Sequence, residues 1–200
     1  MHYCKKIKQL LFVGVFMLVA TNAIANNPNI NTNISADLNS LNIKSAELVS
    51  IEDGYVLNAD VDIKFSDDME EAVIKGFELN FLIEFQLVIP QKYWFDDEIV
   101  TVTNRATLSY HALSRQYLVI RGDQQKTFSS LDEATQDLSQ IRDMKVLLKS
   151  DVVKGEPYNA ALLMRLDHTK LPKALQVDAI SSDDWKMISQ RFEWSPNLFK

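Results

Sequence analysis

The chain has 200 residues, with 27 acidic against 21 basic side chains and a formal net charge of −6. That length suits one domain able to bury its own core, and that sign of charge disfavours nucleic acid and anionic membrane surfaces as partners. A single cysteine, Cys4, excludes an internal disulfide and any cysteine-built metal cluster.

Residues 1–25 have the layout of a secretory signal. Lys5, Lys6 and Lys8 precede an apolar run of eleven residues, Leu10 to Ala20, and Ala23-Ile24-Ala25 places small side chains at a cleavage site. A membrane-spanning helix needs about 20 apolar residues, so cleavage after Ala25 is expected in preference to a retained anchor. Cys4 lies before the run and not after it, where a lipid-bearing cysteine would stand. The expected location is the bacterial periplasm or the exterior, with no stable membrane span left after cleavage. The mature chain would carry 18 basic and 27 acidic residues, a net charge of −9, no cysteine and two histidines, His111 and His168.

Residues 26–42 are rich in Asn, Ser and Thr and read as a flexible leader. A single β-rich domain is expected over residues 43–196. Leu48 to Ile51 and Tyr55 to Phe65 flank Asp53-Gly54, a pair that suits a hairpin turn with positive φ. In the second segment Tyr55, Leu57, Ala59, Val61, Ile63 and Phe65 alternate with polar residues, the pattern of a half-buried antiparallel strand. Asp67 to Lys75 is expected as a short helix capped by Asp67 and ended by Gly76. From Phe77 to Ile89 seven large apolar side chains share one face, and Pro90 stops the pairing.

A loop follows with Tyr93, Trp94, Phe95 and the acids Asp96, Asp97 and Glu98. Ile99 to Leu113 is predicted as a long strand, Ser114-Arg115-Gln116 as a turn, and Tyr117 to Arg121 as the return strand. A polar loop is expected after Gly122. Ser130 and Glu133 form a capping box that opens a helix to about Leu138. Lys145 to Leu148 and Tyr158 to His168 are predicted strands, Leu171-Pro172 is a break, and Gln176 to Ile180 is expected to resume extended. Residues 184–194 satisfy helix and strand periodicity equally. The fold expected is mainly β: an antiparallel β-sandwich of about seven or eight strands with two or three short helical insertions.

Several segments resemble the bacterial domain of unknown function 4390. They are Ala106 to Tyr117 (ATLSYHALSRQY), Arg165 to Val177 (RLDHTKLPKALQV), and, more weakly, Phe128 to Ala134 and Trp185 to Trp194. The resemblance implies a secreted envelope protein and transfers no activity, cofactor or catalytic residue. It also suggests an association with envelope signalling, which makes a sensor kinase one conceivable partner.

No catalytic constellation is legible. His111 has no acid or nucleophile set beside it by sequence. Asp167 and His168 are neighbours on a predicted strand, so their side chains diverge, and Asp167 before Leu171-Pro172 reads as a turn acceptor. Gly-x-Ser-x-Gly is absent. Asn58, Asp60 and Asp62, and likewise Asp96 to Glu98, lack the convergent loop geometry of a calcium site and read as solvated. No cofactor or metal is expected. Arg105, Arg115 and Arg121 could form a basic strip for an anionic partner, or pair with the acids on neighbouring strands. The aromatics Tyr93 to Phe95 are expected to close one end of the sandwich; exposed, they would instead form a binding patch.

The functional expectation is therefore a non-enzymatic envelope module that binds a protein. Trp94, Arg105, Tyr110, His111, Arg115 and Tyr117 are its candidate contact residues. The alternatives are a carrier of a small or lipidic ligand held between the sheets or under the Trp94 loop, motivated by the apolar face of 77–89, and a hydrolase using His111 or His168.

Overall fold

Residues 40–93 and 95–199 are described by a computed structural model. Residues 1–39, which hold the expected signal and most of the expected leader, lie outside them, as do Trp94 and Lys200. The order is β1 (Ser40–Ser50), β2 (Gly54–Lys64), α1 (Asp67–Ile74), β3 (Leu79–Ile89), β4 (Asp97–His111), β5 (Gln116–Arg121), β6 (Gln124–Phe128), α2 (Leu131–Leu138), β7 (Gln140–Leu148), β8 (Asn159–Leu166), α3 (Lys173–Ser181) and β9 (Phe192–Trp194). Two antiparallel sheets form. One has the order β1-β2-β7 and the other β6-β5-β4-β3-β8-β9.

The architecture is the expected sandwich, and its reason is visible in β3. Leu79, Phe81, Ile83, Phe85 and Leu87 are buried, and they share one core with Tyr55, Leu57, Ala59, Val61 and Ile63 of β2 and with Leu162 and Met164 of β8. Each such side chain contributes about 1.5–3 kcal/mol on burial. The chain changes sheets at α1, at α2 and along residues 149–158.

Helices α1 and α2 each set apolar side chains into the core. In α1 the cap is Ser66, one residue before the expected Asp67. Its hydroxyl accepts from Met69 N–H, and Asp67, Asp68 and Glu70 fill the first turn, where the helix dipole favours acids. Gly76 ends it at φ +92°, a left-handed conformation suited to glycine. In α2 the Ser130 cap is as expected. Its hydroxyl accepts from Glu133 N–H, and the Glu133 carboxylate accepts from Ser129 N–H at 3.0 Å.

Five local expectations are corrected. β1 opens at Ser40, inside the stretch read as leader, because Leu41 and Ile43 are buried in the core. At the other end Leu198 is buried, and the Tyr55 hydroxyl donates to its carbonyl at 2.6 Å, so the domain runs past residue 196. The polar stretch after Gly122 is not a loop but strand β6, paired with β5 around the two-residue turn Gly122-Asp123. Residues 173–181 form helix α3 and not an extended segment. Pro172 precedes it, Gln176 N–H donates back to the Pro172 carbonyl at 3.0 Å, and Ala, Leu and Gln outweigh the β-branched residues. Residues 192–194 resolve as strand β9 on β8.

Gly54 differs from the expectation as well. Its φ is not positive; what requires glycine is close approach. A Cβ there would stand 2.2 Å from the Leu147 carbonyl oxygen on β7. Gly54→Ala therefore forces β2 and β7 apart. We expect a loss of about 1–3 kcal/mol, read as a lower midpoint in urea denaturation with little change in slope.

Candidate interaction surface

Four of the residues singled out in the sequence meet at the β4–β5 hairpin. Tyr110 and Tyr117 are cross-strand partners with ring centroids 4.8 Å apart, both half-buried on the inner face. Burial, aided by Tyr110, Glu70 and Asp132, raises the Tyr117 hydroxyl above its usual range. His111 is exposed at the end of β4. Ser114 N–H donates to its Nδ1 at 3.4 Å, and Ser114 Oγ lies 3.1 Å from the same nitrogen. The ring is thereby tied into its own turn. Arg115 closes that turn at φ +55° and is exposed, beside Leu113 at 94% exposure.

Arg105, Arg115 and Arg121 do not form one strip. Arg105 is on the outer face of the large sheet and donates to Asp167 at 3.0 Å. Arg121 pairs across from the buried Ala106, so it lies on the inner side, where it donates to the carboxylate and the carbonyl of Asp137 at the end of α2. The pairing alternative accounts for both. It also accounts for the acids of β2: Asp60 pairs with Arg142, Asp62 lies 3.2 Å from Lys44, and Asn58 Oδ1 accepts from Asp143 N–H. Asp96, Asp97 and Glu98 accept from Gln91 N–H, Gln91 Nε2 and Gln86 Nε2. Among the described residues no group of three His, Asp or Glu could hold a metal ion.

The strand expected to run to His168 ends at Leu166; Asp167 caps a short helical turn that begins at His168, and the two side chains take different partners. Asp167 accepts from Thr169 N–H and Oγ as well as from Arg105, the turn-acceptor role read from sequence. Burial pushes its carboxyl up, but the Thr169 bonds and the Arg105 and Arg165 charges outweigh that, and the net shift is downward. His168 Nε2–H donates to the Trp185 carbonyl at 2.8 Å, joining two turns that flank α3.

The most accessible recognition chemistry is at the other end of β4. Tyr93 and Phe95 are 80% and 95% exposed, contrary to the expectation that they close the sandwich. Trp94 lies outside the described residues. The loop leads straight into β4, whose first nine residues, Asp97 to Arg105, pair with β3 on one side only. β5 has six residues and covers β4 only from Ala106 to His111. Beyond Ala106 the chain turns away at Gly122, so the other edge of Asp97–Arg105 has no strand neighbour among the described residues. β7 also pairs on one side only, with β2.

Where Asn104 and Arg105 of β4, the turn between β5 and β6, and β7 come together lies a cleft of about 440 Å³. Ile83, Ile141 and Met144 contribute apolar surface, and most of the basic residues at its rim are already paired: Arg121 and Lys126 with Asp137, Arg142 with Asp60 and Arg105 with Asp167. Asp143 sits at φ +52°, at a bulge where Leu57 and Ala59 of β2 face Met144 and Ile141 of β7. Sequence reasoning had two signals for this place, three aromatics in one loop and the shortness of the predicted return strand Tyr117 to Arg121, but no means of setting β7 beside β4.

A family model for a domain of unknown function, DUF4390, matches residues 39–195. The chain belongs to this family. No curated protein and no solved structure matches it significantly. The match starts one residue before β1 and ends one residue after β9, so the DUF4390 unit is the whole nine-stranded sandwich.

One half-buried charge cluster of the DUF4390 domain yields a stability test. Burial raises the Asp137 carboxyl, but the Lys126 and Arg121 hydrogen bonds and charges outweigh it and hold the group below the usual carboxylate range. A carboxyl lowered by folding contributes stability that is present above its unfolded value of about 3.9 and is lost as pH falls through the folded one. Asp137→Asn should cost about 1–3 kcal/mol at pH 7, and the difference from wild type should shrink below pH 4 in pH-dependent urea titrations.

Proposed function

We propose that this domain is an exported, non-catalytic envelope module that binds another protein through the 91–96 loop and the open edge of β4. The observation that carries the reading is the pair of exposed aromatics, Tyr93 and Phe95, at the head of a half-paired strand. Large aromatics left in water are costly unless a partner covers them, and they are the side chains that anchor interfaces. An unpaired strand edge supplies backbone donors and acceptors for an extended segment. Export rests on the signal-like residues 1–25. No helix of the described residues is long and apolar enough to cross a membrane. A membrane-bound sensor with a periplasmic segment is one partner of the required kind.

The other two readings draw less support. A lipid carrier would need the β3 face open, and Phe81, Phe85 and Leu87 of that face are packed in the core. A hydrolase would need His111 or His168 beside an acid and a nucleophile. His111 is engaged with its own turn, and His168 with a carbonyl.

Two measurements test the proposal. After cell fractionation the chain should be found in the periplasm with its N-terminus at Asn26; a chain found in the cytoplasm with Met1 retained would remove the export part. A photo-crosslinking residue at position 95 should give one discrete protein adduct in living cells, lost in Tyr93→Ser, with the same residue at exposed Ile188 giving none. Equal adduct patterns at both positions, from protein of unchanged thermal stability, would remove the binding part.

A further inference from the structure

Three features around β4 are incomplete in a single copy of the chain. Asp97–Arg105 pairs only with β3 among the described residues, Tyr93 and Phe95 stand in water at its head, and the cleft at its far end has Ile83, Ile141 and Met144 in its lining. The loop cannot fill its own cleft, because the nine residues of open edge between them span roughly 30 Å at strand rise. A second copy of the same edge, laid antiparallel, removes that separation: the head of one edge then meets the far end of the other.

The edge fits itself in one register. Thr101 is its midpoint and is exposed. With a two-fold axis at Thr101, Val100 of each copy meets Val102 of the other. Both valines lie on the inner face, since they pair with the buried Leu87 and Phe85 of β3. β4 carries one extra residue, Ile99, where Leu87 and Val88 pair with Val100 and Glu98. With that bulge counted, Phe95 stands opposite Ala106 of the other copy. There β5 begins to cover the edge, and Arg121 and Gly122 rim the cleft. The free length is therefore what the second edge needs, and β5 does not obstruct it. Ile99 to Asn104 carry no charge. Glu98 and Asp97 fall beside Thr103 and Asn104 of the other copy, so no like charges face each other across the seam, and the pairs Arg105–Asp167 and Arg142–Asp60 stay in place.

We propose that the occupant of this surface is a second copy of the chain, joined β4 to β4 about a two-fold axis at Thr101, with Phe95 of each copy in the cleft of the other. This rests on the protein-binding reading above and names the partner. One contact completes the strand edge, covers the aromatics and fills the cleft. It uses the same patch on both copies, so it closes at two and does not propagate. Tyr93 and Phe95 of both copies bury roughly 150–250 Å² each, and the paired edges bring the total into the range of about 1,200–2,000 Å² found in stable interfaces.

The test uses the chain as exported by a bacterial host. In analytical ultracentrifugation its mass should move from one copy to two as concentration rises. Thr101→Lys and Thr101→Glu, each alone, set like charges on the axis and should weaken association about fivefold. Mixed in equal amounts, the two variants should associate again, which also shows that both are folded. Phe95→Ser should weaken association by about tenfold or more. The photo-crosslinking residue at position 95 should give an adduct of two chain masses, attached within Gln140–Lys145 of the other copy. A chain that stays single up to its solubility limit overturns the assignment, and so does a dimer indifferent to Thr101→Lys. An adduct at position 95 to a different protein, lost in Tyr93→Ser, also overturns it, and protein binding through the loop then stands without self-pairing. A single copy with no adduct at position 95 removes both readings.

Discussion

One face of β3 holds the two sheets together. Leu79, Phe81, Ile83, Phe85 and Leu87 point from the middle of the six-stranded sheet into the same core as the apolar face of β2. With no cysteine beyond residue 4, no covalent cross-link shares the task. Because the core is one continuous cluster, elements added at its margins (Leu41 and Ile43 of β1, Met69 and Val73 of α1, Ala134 and Leu138 of α2, and Leu198) are held by the same burial. A one-residue slip of β3 would turn that face to water.

Around this core the excess of acids is managed by specific pairing. Asp137 lies at the carboxyl end of α2, where the helix dipole disfavours a negative charge, and Arg121 and Lys126 from the β5–β6 hairpin both reach it. On the outer face Arg165 gives two hydrogen bonds to Glu84, and Arg105 reaches the nearly buried Asp167. These pairs tie neighbouring strands and turns together, and Lys126 shares that structural task with the arginines.

The surface of interest arises from a mismatch of strand lengths. β4 has fifteen residues and β5 six, so a strand in the interior of the sheet order keeps a free edge for more than half its length. Natural sandwiches blunt such edges with charges, and Asp97, Glu98 and Arg105 do so at its ends. Between them lie Ile99, Val100 and Val102, and the loop before them holds its aromatics in water. An edge guarded only at its ends and flanked by a sticky loop is selective rather than inert.

The sequence by itself determined the export-like leader pattern, the sandwich class, the strands β2, β3, β4 and β8, and the Ser130 cap, because period-two alternation and capping chemistry are local. It did not reveal β6, whose five mostly exposed residues carry no apolar alternation, nor the first half of β7, where the bulge at Asp143 places Ile141 and Met144 on one face and breaks the parity. The candidate residues Tyr110, His111, Arg115 and Tyr117 were legible as a hairpin cluster. Only the tertiary structure decided that Arg105 and Arg121 lie on opposite faces, that Tyr93 and Phe95 stay exposed, and that β7 stands across from the open edge of β4. Those facts depend on how two sheets cross and where one strand stops, distances that no short window of sequence encodes.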